Sequence, residues 1–188
     1  MEDENLVELV LDGDDGALET LHARYFQQLF QYIYMQTSDY HDSEEIIQDV
    51  FFKMARNLGE FEGKSSFKTW LFSISRNTVI DYYRKRDKHR KTMAMEQQEL
   101  ESFTDTVRSS EEQVIQNGMM DQIVQELNRL SPDYRTVLHL RLMEGFSTKE
   151  TANIMGKTTF SVKSLQKRAR KKLQSVLEMR WTDSEANI

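Results

Sequence analysis

The stretch Ser147 to Leu173, STKETANIMGKTTFSVKSLQKRARKKL, decides how the chain is read. Ser147 is a helix cap, and Glu150, three positions on, can reach back to its amide and close a capping box, which predicts a short helix from about Thr148 to Met155. Gly156 ends that helix, because a glycine can take the left-handed conformation of a helix terminus. Thr158 or Thr159 can then cap a second, longer helix after a three- or four-residue turn, and Ala152 is small enough for the two helices to approach closely. The pattern is that of a helix-turn-helix.

The second helix separates its chemistry by face. At about 100° per residue, Val162, Leu165, Ala169 and Leu173 fall within about 80° of one another, a narrow apolar seam that packs inward. The other side carries Phe160, Ser161, Lys163, Ser164, Lys167, Arg168 and Lys171, and no acid occurs between Thr151 and Leu177. Such a face fits the major groove of DNA. The first turns, Phe160, Ser161, Ser164, Lys167 and Arg168, would meet base edges, with later basic residues such as Lys171 and Lys172 near phosphates. Phe160 fits a thymine methyl and equally fits packing onto its own helix.

A net charge of −6 over 188 residues argues against a uniformly basic nucleic-acid binder, but the charge is segregated. Residues 1–20 hold eight acids and no base, Arg84 to Lys91 six bases and one acid, Glu96 to Glu112 six acids and one base, and Lys157 to Lys172 seven bases and no acid. Salt limits each patch to roughly 8 Å, so a basic face can act on an acidic chain while long-range steering toward DNA is weak. The free chain is therefore expected to bind DNA poorly and to need a larger partner. The absence of cysteine excludes disulfides and thiolate metal sites and suits a reducing cytoplasm. The acidic N-terminus reads neither as a signal peptide nor as a membrane span. One proline, seven glycines and abundant Glu, Gln, Lys, Leu and Met predict an all-α chain.

Outward from that stretch, amphipathic helices are expected over Leu6 to Leu11 and Ala17 to Met35, then Glu44 to Leu58 capped by Ser43. The last has a core stripe of Ile46, Ile47, Val50, Phe51, Met54 and Leu58. Its opposite face carries Glu45, Gln48, Asp49, Phe52 and Arg56. An aromatic among charges on an outward face is a candidate interface anchor. After the loop Gly59 to Ser66, with Ser65 or Ser66 as cap, a helix spans Phe67 to Arg86. Phe67, Trp70, Leu71, Ile74 and Tyr82 face one side, leaving Phe72, Arg76, Val79 and Tyr83 on another. That apolar surface is wider than one core needs. Interleaved with Arg76, Asn77, Arg84, Lys85 and Arg86, it suits unpaired bases, which stack on aromatic rings for about 1–3 kcal/mol each. From Asp87 to about Glu112 the periodicity fades and a flexible linker is expected. Helices resume over Val114 to Leu130 and after Ser131, with Pro132 at the first helical position and Tyr134, Val137, Leu138 and Leu142 packing beneath the helix-turn-helix.

Three runs, SEEIIQDVFFKMARNLGEFEG, SSFKTWLFSISRNTVIDYYRKR and LNRLSPDYRTVLHLRLMEGFSTKETANIMGKTTFSVKSLQKRARKKL, together resemble the extracytoplasmic-function (ECF) group of bacterial sigma factors. The resemblance implies two small helical domains joined by a linker: residues 1–90 (region 2), 91–112 (linker) and 113–188 (region 4, the helix-turn-helix). It implies that Glu45, Gln48, Asp49, Phe52 and Arg56 bind core RNA polymerase. Lys64, Ser65, Ser66, Phe67, Lys68, Arg76, Asn77, Asp81 and Arg84 would form or border the minus-10 pocket. Thr159, Phe160, Ser161, Lys163, Ser164, Lys167, Arg168 and Lys171 would read the minus-35 element. Core polymerase, promoter DNA and an anti-sigma factor are the implied partners, in the cytoplasm, with no cofactor, metal, catalytic group, small-molecule substrate or membrane insertion. One departure stands out: Leu165 and Gln166 follow Val-Lys-Ser where the family usually has arginine and leucine, so a basic contact is missing.

Three other readings compete. One is a pure interaction protein such as a sequestering antagonist, which DNA-dependent transcription with core polymerase discriminates. A dimeric helix-turn-helix regulator would need a dimer interface and a palindromic target, and the long N-terminal half argues against it. A hydrolytic metal site at Asp39, Asp42, Glu44, Glu45 and Asp49 lacks histidine ligands, and acids gather at helix N-termini because of the helix dipole.

Overall fold

The computed structural model describes residues 1–97, 127 and 129–185. Among these residues the chain is all helical. The N-terminal head consists of α1 (Asp3–Leu11), α2 (Asp15–Thr37), α3 (Tyr40–Asn57) and α4 (Phe67–Gln97), with a 3-10 turn at Leu58–Glu60. The C-terminal head consists of α5 (Pro132–Leu138), a π turn (His139–Met143), α6 (Thr148–Met155) and α7 (Thr159–Glu185).

Short polar side chains set the N-terminal boundaries. Asp14 accepts a hydrogen bond from the Ala17 amide (3.0 Å) and caps α2, and Ser38 ends that helix in the left-handed region at φ 57°. α3 starts earlier than its sequence pattern predicts. Asp39, not Ser43, is the cap, accepting from the Asp42 amide at 2.8 Å. Ser43 is buried one turn inside, its hydroxyl 2.6 Å from the Asp39 carbonyl and 2.7 Å from Thr37 Oγ1. Two residues competent to cap stand four apart, and the outer one wins because the inner one is used to pin the α2–α3 corner. Ser66 caps α4 through the Thr69 amide at 3.2 Å.

The stripe Ile46, Ile47, Val50, Met54 and Leu58 is buried with Leu21, Leu29, Ile33, Phe67 and Leu71 in the core. α1 is tied on by Asp3, which accepts from Arg24 and from the Tyr25 hydroxyl. At the far end Asp42 accepts from the Tyr82 hydroxyl (2.7 Å) and from Arg86 (2.6 Å), joining the start of α3 to α4. α4 runs on to Gln97, so residues 87–97, where the linker is expected to begin, are helical; the rest of the expected linker and nearly all of the helix expected over Val114 to Leu130 lie outside the described residues.

In the C-terminal head Pro132 takes the first turn of α5 as expected, but the Ser131 side chain makes no capping hydrogen bond. The π turn that follows adds a residue per turn and shifts the helical phase. Leu140 therefore points inward, while Leu142, expected in the core, is half exposed beside Met143. Gly145 and Gly156 both have positive φ, 72° and 60°, and end the π turn and α6. The capping box is present in full: the Ser147 amide donates to Glu150 Oε2 (2.8 Å) and the Glu150 amide to Ser147 Oγ (3.2 Å). Thr158 caps α7 through the Ser161 amide at 3.1 Å.

The two heads are docked along α4 and share one continuous core. Phe72 and Val79, expected as part of an open platform, are buried there. α4 is packed from both sides, which is why its apolar surface exceeds the need of a single core.

Candidate nucleic-acid and polymerase interface

The recognition helix α7 follows from the capped turn. Val162 and Ala169 are fully buried and Leu165 nearly so, which fixes the rotation of the helix. Thr159, Phe160, Lys163, Ser164, Lys167, Arg168 and Lys171 are then exposed, with Ser161 half-buried beside the Thr158 cap. Phe160 is 82% exposed, so its ring does not pack onto its own helix. Of the two readings left open by the sequence, only outward contact remains in this conformation. Gln166 has an internal partner that sequence reasoning missed: its Oε1 accepts from Arg141 Nε at 3.3 Å, and Arg141 also donates to the Phe146 carbonyl. The residue standing in place of a basic contact braces the recognition helix against the π turn.

On α3, Phe52 is 64% exposed and flanked by exposed Glu45, Gln48 and Arg56. These four share the outward face. Asp49 is held by its own helix, paired with Lys53 at 2.9 Å, and Lys53 in turn donates to Thr78 of α4 at 3.2 Å.

The residues expected at the minus-10 pocket are divided. Lys64 is exposed and paired with Glu62, Ser65 is half-buried, and Ser66 is occupied as the α4 cap. Phe67 is fully buried among Tyr25, Phe61 and Trp70, so it anchors the loop and is not available to a nucleotide. Lys68 is paired with Glu144 of the C-terminal head at 2.9 Å. Arg76 and Arg84 line a cleft of about 720 Å³ between α4 and α5, together with Tyr32, Ile80, Tyr83 and Asp133. Asp81 turns toward α3, lining a cavity of about 200 Å³ with Glu45 and Asp49, and pairs with Arg84 at 3.0 Å; Asn77 is exposed. Burial pushes the Tyr32 hydroxyl up to about 12, and burial likewise raises Tyr83, so both rings at the cleft remain neutral hydrogen-bonding groups.

Two family models match the chain. Residues 21–89 match the model of sigma-70 region 2 and residues 120–173 that of sigma-70 region 4. The ECF RNA polymerase sigma factor SigX of Bacillus subtilis is 30% identical over 166 residues, 88% of this chain and 86% of that protein. The chain belongs to the ECF RNA polymerase sigma factors. The ECF sigma-E factor of Escherichia coli is 27% identical to this sigma factor over 183 residues, covering 94% of each chain. Among solved structures, the sigma factor RpoE of Bartonella quintana, in complex with the anti-sigma factor NepR, is 28% identical with a TM-score of 0.68, covering 85% of this chain and 96% of that one. CnrH, in complex with the cytosolic domain of CnrY, shares the fold at 24% identity and a TM-score of 0.70 over 94% and 97% of the two chains. Among the described residues no helix of this sigma factor is long and apolar enough to cross a membrane.

Proposed function

We propose that this sigma factor binds core RNA polymerase, directs it to specific promoters and helps to open the minus-10 element. Residues 1–90 would carry polymerase binding and minus-10 opening, 91–112 the connection, and 113–188 minus-35 recognition. The observation that carries the reading is the capped helix-turn-helix, whose second helix buries only its apolar seam and leaves an exposed face bearing Lys163, Lys167, Arg168 and Lys171, in a chain of the ECF family.

Each group has a physical role. Thr159, Phe160, Ser161, Ser164, Lys167 and Arg168 address base edges at minus-35, and Lys163 and Lys171 the phosphates. Glu45, Gln48, Asp49, Phe52 and Arg56 dock the polymerase, with Phe52 as the aromatic anchor. Lys64, Ser65, Ser66, Lys68, Arg76, Asn77, Asp81 and Arg84 surround the unpaired minus-10 strand, while Phe67 supports the loop from beneath. Unstacking a base costs a few kcal/mol, which stacking and pocket contacts must offset. The chain works by binding and positioning in the cytoplasm, without a catalytic group or cofactor of its own. An anti-sigma factor is proposed as a further partner, by analogy with the Bartonella relative solved with one.

Run-off transcription with purified core polymerase on genomic templates tests the reading. Added protein should produce new, discrete transcripts, and each should depend on sequence upstream of its start. A transcript pattern identical with and without the protein would remove it.

A further inference from the structure

We propose that the cleft between α4 and α5 is a binding site for a nucleoside diphosphate, its cationic rim holding the diphosphate and the buried Gln36 amide addressing the base.

The cleft has a volume of about 720 Å³, within the range of about 300–1,000 Å³ usual for small-molecule sites. Its floor is made by the lining residues that are buried, Tyr32, Gln36, Val79 and Thr136. Arg84 and Lys88 are exposed at its rim, and Arg76 and Arg135 are half-buried. Gln36 is the unusual member of the floor. It is 5% exposed; its backbone carbonyl accepts from the Tyr83 hydroxyl at 3.3 Å and its Oε1 from Thr136 Oγ1 at 3.5 Å, but Nε2 has no hydrogen-bond partner among the described residues. Turning the amide over only exchanges which end is bonded to Thr136. Buried polar groups are nearly always satisfied in folded proteins, and the edge of a base carries both acceptors and donors that can pair with such an end.

Charge decides the other half of the ligand. Four cations line the cleft against two acids, Asp87 and Asp133, and Asp133 is already paired with Lys157 at 3.0 Å. Arg84 shares its charge with Asp81. Burial holds the Arg135 guanidinium below its usual value without removing its charge, so an anion beside it offsets a desolvation already incurred. Guanidinium forks match phosphate oxygens in pairs, and a diphosphate supplies enough of them for more than one fork. On the walls, Ile80 and Pro132 are exposed apolar surface of the kind a flat base covers. A fatty acid would leave the Gln36 amide without a partner, and free pyrophosphate would leave the apolar walls bare. Arg76 and Arg84 are also proposed for the unpaired minus-10 strand, so nucleotide and strand would compete for the same guanidiniums.

Calorimetric titration of the free full-length protein with GDP and with ADP tests the site, with pyrophosphate and guanosine as the separate halves of the ligand. At least one diphosphate should bind saturably, one per chain, and at least about tenfold more tightly than either half. Arg135→Ala should weaken the diphosphate and pyrophosphate alike, by at least about tenfold, through loss of a charge-assisted contact. Gln36→Leu, which keeps the bulk and removes the amide, should weaken the diphosphate and leave pyrophosphate unchanged. Lys85→Ala, on the same helix but outside the cleft, should change neither. The comparison of the whole ligand with its halves needs no variant, so it decides the matter even where a substituted chain fails to fold. No saturable binding of either diphosphate, pyrophosphate binding as tightly as the diphosphates, or a loss in Lys85→Ala equal to that in Arg135→Ala would each overturn the site. These titrations contain neither polymerase nor promoter, so failure of the sigma-factor reading shows separately, as absent run-off activity.

Discussion

Lys167 and Val162 lie on the same helix, and their replacement by alanine should damage different properties. Val162 is fully buried in the α7 seam. Val162→Ala removes two carbons' worth of buried surface at about 0.8 kcal/mol each and leaves a small void, so a stability loss of about 2–3 kcal/mol is expected. Lys167 is exposed, and a surface substitution of this kind stays within about 0.5 kcal/mol in stability. If its ammonium contacts a base edge, Lys167→Ala should cost about 1–3 kcal/mol in minus-35 recognition, roughly 5- to 150-fold in affinity. The assay is thermal unfolding of each variant, paired with footprinting of the reconstituted holoenzyme on promoters carrying single substitutions across minus-35. A relaxed preference at one base pair with unchanged melting is the expected signature for Lys167→Ala. Uniformly weaker binding on every sequence, with a shallower salt dependence, would reassign Lys167 to phosphate. Unchanged footprints would take it off the reading face.

The Phe52→Ala, Asp49→Ala double variant should retain its helicity and lose most of its retention by immobilised core polymerase; undiminished pull-down would refute the α3 docking face. Ser147→Ala removes one of the two reciprocal capping hydrogen bonds at an exposed position, so a loss of about 1 kcal/mol is expected. For a chain of this size that lowers the melting temperature by about 2–4 °C, measurable by calorimetry. Stability should also fall on acidification. Burial pushes the Glu144 carboxyl up, but the contacts of Lys68 and His139 outweigh it, and hydrogen bonds from Ser147 hold the Glu150 carboxyl down. Both carboxyls are thus depressed when folded, so their contribution is complete above the ordinary glutamate value of about 4.3 and is lost as pH falls through the folded values. Denaturant midpoints that do not decline between about pH 5 and 3 would contradict this.

What could be read from the sequence was what short-range chemistry decides. Ser147, Glu150 and Gly156 specify their helix ends within a few residues, and Val162, Leu165 and Ala169 fix the face of α7 by spacing alone. The stripe from Ile46 to Leu58 likewise announced its own burial. Long-range partners were not legible. Phe72 and Val79 carry no mark distinguishing a nucleotide platform from a surface covered by a second head, and only the tertiary arrangement settles which applies in the free chain. Phe67 directly follows the loop and opens α4, and its ring points into the core against Phe61 and Trp70. The misplacement of Leu142 follows from a π turn, which shifts the periodicity without a local residue signal. α4 outran its expected end because no glycine or proline stops it, and accumulating acids are a weaker terminator than either. Gln166 read as a missing contact until Arg141, distant in sequence, supplied its partner.

The most direct test of the central claim is to map transcription start sites on fragmented genomic DNA with core polymerase alone, with the wild-type chain added, and with Lys167→Ala, Arg168→Ala added. The wild type should create a set of starts sharing upstream elements at fixed spacing, and the double variant should shift or lose that set while still binding core. Starts indistinguishable from core polymerase alone, or a set unaltered by the double variant, would contradict it.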